Sequence, residues 1–278
     1  MSETAMVAAS DGVRLYAEAH GDGPCVLFSC ASCTTCENWR PQVEPLVAAG
    51  ARVILWDYRG HGKSDAVRDA RAYGFDQVVA DLLRVLDWAS PEEPAVLAGL
   101  SFGGLASLHC TVRHPERVRG LLLVASGPGF KNAEAAARWQ AQAERTADFL
   151  ETRGFEAFLQ GRAGATCIGG KPELPAARAA ARAIAVQDPA AVGAFSRRAG
   201  GAAPSVIDDL QNIQKPALVV VGEHDEAYQR AAEVMAAKLP QATRKTIAGA
   251  GHIVNIEAEA EFNAIAIAFL EQLDRSGQ

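Results

Sequence analysis

The sequence has no long uninterrupted apolar run, which removes the main sign of a membrane-spanning helix. Such a helix needs about 18 or more consecutive apolar residues to cross the hydrocarbon core of a bilayer. No stretch of this kind occurs among the 278 residues. The first residues, Met1 to Thr4, also lack a basic region followed by an apolar one, so no signal peptide is predicted. We therefore expect a cytoplasmic protein without a membrane partner.

Positive charge is scarce as well. The chain has 27 Lys and Arg residues against 33 Asp and Glu residues, which gives a formal net charge of -6. A nucleic-acid-binding surface requires a concentration of basic side chains that neutralises phosphates, so no nucleic-acid partner is expected. Hydrophobic residues make up 49% and charged residues 22% of the chain, ordinary values for a globular protein that buries a sizeable core.

Cysteine is sparse, and its spacing does not complete a metal site. Three of the six cysteines, Cys30, Cys33 and Cys36, follow one another at intervals of three, a spacing that can indicate metal or cluster binding. A closed zinc site usually takes four ligands from two separated pairs, and no second pair of Cys or His residues stands nearby. We therefore predict reduced thiols, no metal and no cofactor.

Apolar runs alternate with amphipathic stretches along most of the chain. This pattern is typical of βαβ units around a mostly parallel sheet flanked by helices, so the predicted fold class is α/β. The predicted strands are 6–9 and 13–19, which form an opening hairpin, then 25–29, 52–56, 95–100, 118–125, 217–221 and 244–247. The predicted helices, with apolar residues at helical spacing, are 39–49, 75–88, 103–114, 229–239 and 258–273.

The segment 130–203 interrupts this alternation. It is rich in Ala, Arg and Glu, shows no convincing strand pattern, and has helical stretches broken by residues such as Gly154 and Pro189. Roughly seventy residues are too many for an irregular loop inside a compact domain. We predict that this segment is a helical cap domain inserted into a core domain formed by residues 1–129 and 204–278.

The clearest chemical signal is the Gly-x-Ser-x-Gly turn Gly99–Gly103, between a predicted strand and a predicted helix. A serine hydroxyl is a weak nucleophile, which needs exposure, a base, and stabilisation of the charge that develops on the attacked carbonyl. The sharp turn exposes the hydroxyl, the flanking glycines leave room for neighbouring backbone, and the helix points amide donors at the site. Ser101 is therefore the predicted nucleophile.

The base is expected late in the chain, after an acid, in the order Ser, Asp or Glu, His. His252 follows the last predicted strand in a turn of small residues, which lets its imidazole reach back towards Ser101. His224 is the rival candidate. We predict that His252 is the general base.

The acid is expected between the nucleophile and the base. Asp225 stands just past the carboxyl end of the strand 217–221, where a parallel sheet places functional side chains. Its predicted task is to hold His252 in the correct tautomer and to stabilise the imidazolium. Glu223 and Glu226 are nearby carboxylates, which we interpret as solvated loop charges.

These residues, their order and the turn around Ser101 resemble the α/β-hydrolase superfamily, in the branch with a serine nucleophile and a helical cap. The similarity covers nearly the whole chain except the cap. The motif Asp57–Ser64 resembles one that the family carries after its second parallel strand, where it is mainly structural, so Arg59 and His61 are expected to pack and form hydrogen bonds. Because residue 101 is a serine, the resemblance excludes the dehalogenases and epoxide hydrolases, which use Asp there.

The resemblance also implies an oxyanion hole made of backbone amides. It places one donor on Phe102 and the other on Ala31, with Cys30 as the alternative. The family usually has a His-Gly pair after the strand 25–29, whereas this chain has Ser29-Cys30-Ala31, which is similar to the polar version in enol-lactone hydrolases of aromatic catabolism. This favours a lactone or small ester substrate, and it places Cys30 beside the reaction, where thiol reagents would block access.

The predicted function is hydrolysis of a carboxylic ester or lactone through an acyl-enzyme intermediate. Carbon–carbon bond hydrolysis and cofactor-free perhydrolysis are alternatives on the same triad, and a non-catalytic ligand receptor is an alternative of another class. The expected partner is the small-molecule substrate, and the protein is expected to be a monomer or homodimer.

Substrate selection is expected to lie mainly in the cap. The candidate substrate-binding residues are Cys30, Trp39, Phe130, Trp139, Phe155, Phe158, Phe195 and Ile253. Aromatic residues at helical spacing usually belong to a core, so packing is the alternative for each of them.

Overall fold

A twisted sheet forms the centre of the structure, a computed structural model that describes residues 2–276. Within these residues the strands are β1 (Ser2–Ala8), β2 (Arg14–His20), β3 (Cys25–Ser29), β4 (Arg52–Trp56), β5 (Ala95–Leu100), β6 (Val118–Val124), β7 (Ala217–Gly222) and β8 (Ala242–Ile247). They lie in the order β1-β2-β4-β3-β5-β6-β7-β8. The pairs β1–β2 and β2–β4 are antiparallel, and the other neighbouring pairs are parallel.

The central strands are buried on both faces, which explains their continuous apolar sequences. Every residue of β3, β5 and β7 is buried. The predicted mostly parallel sheet is confirmed, and β3, β4 and β5 begin and end at the predicted residues.

The helices are α1 (Arg40–Ala48), α2 (Phe75–Ala89), α3 (Phe102–Arg113), α4 (Ala133–Gln160), α5 (Ala165–Ile168), α6 (Pro175–Ala185), α7 (Pro189–Phe195), α8 (Glu226–Lys238), α9 (Val254–Glu257) and α10 (Glu259–Ser276). Several predicted boundaries differ from the observed ones: β1 begins at Ser2 and not at residue 6, and β8 begins at Ala242 and not at residue 244. α8 begins three residues before the predicted start, because Asp225 takes the position that caps the helix. The predicted last helix, 258–273, is α10, which begins at Glu259 because Ala258 has a non-helical backbone, and the short α9 before it was not predicted.

Residues 130–203, called the cap segment from here on, contain α4 to α7 and no strand in this fully described stretch. Gly154 interrupts α4 with a φ of 73°, a left-handed conformation that glycine adopts without steric cost. Pro175 and Pro189 each begin a helix, where the missing amide hydrogen removes no intrahelical bond. The segment is helical as predicted, and its division from the core as a separate domain stays a prediction.

The segment Asp57–Ser64 is a buried loop with structural contacts. The Arg59 side chain is 1% exposed, and its guanidinium lies 2.6 Å from the Asp81 carboxylate and 2.8 Å from that of Asp11. Nδ1 of His61, also buried, lies 3.3 Å from the Arg59 carbonyl oxygen. These contacts agree with packing and hydrogen-bonding roles for both residues.

No helix within residues 2–276 is long and apolar enough to cross a membrane. The two longest, α4 and α10, both contain charged side chains, which in α10 lie towards its two ends. The predicted location in the cell stays a prediction.

The loops that carry the candidate functional residues meet at one edge of the sheet. Cys30 follows β3, Ser101 follows β5, Asp225 lies three residues past the end of β7, and His252 lies in the loop after β8. All four strands are parallel, so their carboxyl ends lie at the same edge, where ligands bind in open α/β sheets.

Candidate active site

Ser101 occupies a strained turn directly after β5. Its backbone has φ 54° and ψ -115°, a combination that a residue with a side chain adopts only where the surrounding structure fixes it. The Ser101 amide donates to the Val124 carbonyl at 2.8 Å, and the Ser126 hydroxyl donates to the Ser101 carbonyl at 2.7 Å. These bonds hold the turn while the Ser101 side chain stays partly exposed.

The glycines on either side of Ser101 are required by close backbone approach. A Cβ at Gly99 would lie 2.2 Å from the Gly103 carbonyl carbon, and a Cβ at Gly103 would lie 2.3 Å from the Ser29 carbonyl oxygen. Real Cβ atoms do not come this close to backbone, so α3 can approach the loop after β3 only because residue 103 has no side chain. The Gly-x-Ser-x-Gly pattern therefore has a steric cause in this structure.

Asp225 and His252 are joined by a direct hydrogen bond. Nδ1 of His252 lies 2.8 Å from Oδ2 of Asp225, and the two side chains are 11% and 6% exposed. A carboxylate on Nδ1 fixes the tautomer in which Nδ1 carries the proton, which leaves Nε2 able to accept one. The pair has the geometry of a general base with its orienting acid.

The rival residues lie elsewhere. Glu223 is exposed, and its carboxylate accepts the Gly249 amide at 2.8 Å. Glu226 and His224 are exposed. Among the described residues, Asp225 is the carboxylate bonded to the His252 ring.

The loop that carries His252 is held against the end of β7. A Cβ at Gly222 would lie 2.2 Å from the Gly251 carbonyl oxygen, so the loop and the strand end are in backbone contact. The His224 amide donates to the Ala250 carbonyl at 2.9 Å, and the Gly251 amide donates to the Glu257 carboxylate at 3.0 Å. These contacts fix the backbone on both sides of the imidazole.

The Ser101 hydroxyl binds a residue that the sequence reasoning missed. Ser101 Oγ lies 3.2 Å from the Tyr228 hydroxyl, and within residues 2–276 no hydrogen bond joins Oγ to His252. The Tyr228 ring lies against the His252 ring, with centroids 4.8 Å apart and planes inclined at 31°. Tyr228 thus contacts both the predicted nucleophile and the predicted base.

Two amides are available for an oxyanion. Phe102 is the first residue of α3, so its amide has no intrahelical acceptor, and the positive end of the helix dipole adds to its potential. The Ala31 amide has no backbone acceptor among the described turn and loop bonds, although the Ala31 carbonyl accepts the Thr34 amide. Gly103, in the first turn of α3, closely approaches the backbone of Ser29 and Cys30, so the start of α3 lies beside the end of β3, and the shared oxyanion role of the two amides stays a prediction.

Three aromatic side chains fix the start of that loop, and sequence reasoning predicted this role for none of them. Trp39 Nε1 donates to the Ser29 carbonyl at 3.2 Å, and Trp56 Nε1 donates to the Ser29 hydroxyl at 3.1 Å. The Tyr58 hydroxyl donates to the Cys30 carbonyl at 2.9 Å. Burial raises the pKa of Tyr58 well above its ordinary value, so it remains a donor.

The expectation that thiol reagents reach Cys30 is wrong. The side chain is 1% exposed, and its Sγ lies 3.8 Å from the Trp56 carbonyl oxygen, pointing into the protein. Burial, reinforced by the Asp57 carboxylate, raises the pKa of the Cys30 thiol well above its ordinary value. The neutral thiol is a poor nucleophile, so only the Cys30 backbone faces the site.

The cysteine run does not converge on one point. Cys33 Sγ lies 3.6 Å from the Ser196 hydroxyl, whereas Cys36 Sγ lies 3.8 Å from the Glu18 carboxylate. Within the described part of the chain, no group of three or more His, Cys, Asp or Glu residues is placed to hold a metal ion.

Several predicted substrate-binding residues lie in packing positions. Trp39 is fully buried, with its ring centroid 4.8 Å from that of Phe28 and 5.9 Å from that of Phe262. Phe155 and Phe158 are buried and contact each other within the cap segment, and Ile253 is buried beside His252. These positions favour the packing alternative for all four residues.

Three other candidates lie in the cap segment, and one of them, Phe195, contacts the core. Phe195 is buried, with its ring 5.1 Å from that of Phe102. Trp139 Nε1 donates to the Gly200 carbonyl at 2.9 Å, and Gly200 faces the Ser32 hydroxyl. Phe130 and Trp139 are 46% and 38% exposed, with centroids 5.9 Å apart. They form an exposed aromatic pair near the beginning of the cap segment.

A separate groove of about 700 Å³ lies between the cap segment and residues 66–70. Its lining combines Arg68, Arg197 and Arg198 with Glu144 and Asp188. None of the three predicted triad residues lines this groove.

Comparison with known proteins agrees with this architecture. A sequence model of the family described as alpha/beta hydrolase fold matches residues 27–259. This stretch includes the turn around Ser101 and the Asp225–His252 pair.

Individual relatives cover the chain to different extents. A Bacillus subtilis protein, provisionally named a 2-succinyl-6-hydroxy-2,4-cyclohexadiene-1-carboxylate synthase, is 25% identical over 275 residues, which are 97% of this chain and 99% of that protein. A provisionally named carbamate hydrolase of Azorhizobium caulinodans is 40% identical over 110 residues, 40% of each chain. Among solved structures, Est816, described as an N-acyl homoserine lactone degrading enzyme, aligns with a TM-score of 0.71 and 28% identity over 94% of this chain and 98% of that chain.

Proposed function

The chain belongs to the α/β-hydrolase fold family, and from this premise we propose that it is a serine hydrolase that cleaves a carboxylic ester or lactone. In this proposal Ser101 is the nucleophile, His252 the general base and Asp225 the orienting acid. The observation that carries it is the 2.8 Å bond between Asp225 and His252, at the sheet edge where the strained turn presents Ser101.

The first half of the reaction forms the acyl-enzyme. Ser101 Oγ attacks the carbonyl carbon of the substrate and its proton moves to Nε2 of His252, whose positive charge is stabilised by Asp225. The negative charge that develops on the carbonyl oxygen is stabilised by the amides of Ala31 and Phe102. Collapse of the tetrahedral intermediate expels the alcohol, which takes the proton from His252.

The second half releases the acid. Water gives a proton to His252 and attacks the ester carbonyl on Ser101 in the same oxyanion hole, and Oγ recovers the proton as it leaves. A lactone follows the same steps, with the leaving alcohol tethered to the acyl group. No metal or cofactor is required in either half-reaction.

The substrate class is supported by the surroundings of the nucleophile. Residues 30–32, directly after β3, have the small side chains of Cys, Ala and Ser, which suit a site that receives the carbonyl group of a small ester or lactone. The 28% identity to a lactone-degrading enzyme over almost the whole chain supports a lactone among the candidates.

A non-catalytic ligand receptor is the second candidate. The observation that favours it is the hydrogen bond of Ser101 Oγ to Tyr228, in place of one to His252. A receptor of this kind would bind an acyl compound and release no product, so turnover separates the two functions. Carbon–carbon bond hydrolysis and perhydrolysis use the same triad and differ from ester cleavage in their substrates.

The deciding experiment combines short-chain p-nitrophenyl esters with a fluorophosphonate probe. The wild type is expected to release p-nitrophenol with turnover and to carry the phosphonyl group on Ser101, as located by peptide mass spectrometry. Ser101→Ala should lose both, whereas Ser90→Ala, which changes a serine remote from the sheet edge, should keep both. Absence of turnover and of labelling in the wild type would overturn the enzyme proposal in favour of the receptor.

A further inference from the structure

Tyr228 stands where it can act on the nucleophile and the base together. Its hydroxyl lies 3.2 Å from Ser101 Oγ, and its ring lies against the His252 imidazole at a centroid distance of 4.8 Å. Neither contact belongs to the triad, and the family resemblance assigns Tyr228 no role.

The position of Tyr228 is fixed by the same helix turn that carries the acid. Asp225 caps α8, and its carbonyl accepts the Tyr228 amide at 3.0 Å and the Gln229 amide at 3.2 Å. The side chain of Gln229 donates to the Gly222 carbonyl at 2.7 Å, which ties this first turn to the end of β7. The backbone of Tyr228 is therefore anchored in the same turn as that of Asp225.

The phenol keeps its proton throughout. Burial raises the pKa of Tyr228 above its ordinary value, and the charge of Asp225 acts in the same direction. A phenol is a stronger acid than an aliphatic alcohol, so the Tyr228 hydroxyl is the better donor of the pair. When it donates to Ser101 Oγ, the Ser101 proton is free to point at His252, because a hydroxyl has one hydrogen and two acceptor positions.

We propose that Tyr228 is a further catalytic residue, which donates a hydrogen bond to Ser101 Oγ while that oxygen gains and loses negative charge. The inference rests on the proposed serine-hydrolase function. Tyr228 transfers no proton, since the Ser101 proton goes to His252 and returns from it. The donated bond is strongest when Oγ is most negative, during attack on the substrate and again when Oγ leaves the acyl group.

The ring has a separate effect on the base. It covers one face of the imidazole, and its π electrons favour the positive charge that His252 carries after it accepts the proton. A phenylalanine at this position keeps the ring and removes the hydroxyl alone. The two contributions can therefore be tested separately.

The test is Tyr228→Phe, assayed with p-nitrophenyl acetate and with the fluorophosphonate probe. The expected result is a kcat lower by about 10- to 100-fold with little change in KM, because the lost bond acts on charge that develops during the reaction. The rate constant for labelling of Ser101 should fall in parallel, since this reaction reports the nucleophilicity of Oγ. The melting temperature should stay close to that of the wild type.

Tyr16→Phe is the matched control. The Tyr16 hydroxyl bonds to Lys63 at the surface, with an Nζ-to-oxygen distance of 3.1 Å, and it belongs to no part of the proposed site. This variant should match the wild type in kcat and in labelling rate. It shows whether loss of a tyrosine hydroxyl has a general effect on the fold or the assay.

The outcomes separate the inference from the function on which it rests. If the labelling rate constant and the kcat of Tyr228→Phe are within about twofold of the wild-type values, or higher, the catalytic role of Tyr228 is overturned while the serine-hydrolase proposal stands. A lower kcat together with a melting temperature lower by more than about 5 °C assigns Tyr228 a structural role and also overturns it. If the wild type itself is not labelled at Ser101, the proposed function fails, and the inference fails with it.

Discussion

The Asp225 carboxylate and the His252 imidazole meet at 2.8 Å, across the ends of the neighbouring parallel strands β7 and β8. Each is held from its own side, Asp225 by its position at the start of α8 and His252 by the backbone contacts of its loop with Gly222. A carboxylate in this place controls which ring nitrogen carries the proton.

Asp225→Asn is expected to lower kcat by a factor on the order of a thousand or more, because the amide can donate to Nδ1 and so stabilise the wrong tautomer of His252. The shape of the side chain is kept, so KM should change little. Steady-state kinetics on p-nitrophenyl acetate provide the measurement.

Glu226→Gln is the control for this prediction, since Glu226 is the next residue, carries the same charge and is exposed. It should keep near wild-type activity. Retained activity in Asp225→Asn would move the orienting role to another carboxylate, with Glu223 the first to examine.

Three central strands of the sheet could be predicted to the residue because their signal is local, whereas the edge strands β1 and β8 begin earlier than predicted. β3, β4 and β5 are short apolar runs that end at polar, glycine or proline residues. Continuous runs of this kind are typical of strands that are buried on both faces of a parallel sheet. The order of Ser101, Asp225 and His252 then followed from the carboxyl ends of strands. This order, with the turn that carries each residue, was enough to pair Asp225 with His252, and in the structure the two lie 2.8 Å apart.

Tyr228 was missed for a physical reason. The apolar spacing predicted a helix from Gln229 onwards, whereas α8 begins at Glu226. Residues 226–228 add almost one turn that hydrophobic periodicity does not show, and Tyr228 lies in this turn. The direction of the Cys30 side chain was missed because strand alternation gives no information beyond Ser29, the end of β3.

Resistance of the native thiols to modification is the second prediction. All six cysteines are free and buried, and burial raises the pKa of Cys25 and of Cys110 to about 12. Native protein at pH 8 should therefore react very slowly with Ellman's reagent, whereas protein in urea should release six equivalents.

Iodoacetamide treatment of the native protein should accordingly leave its proposed turnover of p-nitrophenyl acetate unchanged. The control is the same treatment during unfolding, followed by refolding, in which alkylation of Cys30 should block recovery of activity. Rapid loss of activity in the native state would show that a thiol reaches the site after all.

The third prediction concerns stability against pH and arises from His61. Burial lowers the pKa of His61 from 6.5 to about 4, so between these values the unfolded chain binds a proton that the folded chain does not. Its contribution to the free energy of unfolding is complete above pH 6.5 and is lost as the pH falls towards 4. Between pH 7 and pH 5 this amounts to a loss of about 2 kcal/mol.

His61→Asn should remove this pH-dependent contribution to the free energy of unfolding, because asparagine does not titrate. Urea unfolding at the two pH values is expected to give a smaller drop in stability for the variant than for the wild type, although the variant is less stable at pH 7. Carboxylates and the buried His109, whose pKa burial also lowers, contribute equally to the pH dependence of both proteins. Their contributions therefore cancel when the variant is compared with the wild type. The exposed His224 supplies the control, since His224→Asn should keep the wild-type drop. If the free energy of unfolding falls equally between pH 7 and pH 5 in His61→Asn and in the wild type, His61 becomes protonated in the folded state without cost, and the prediction is wrong.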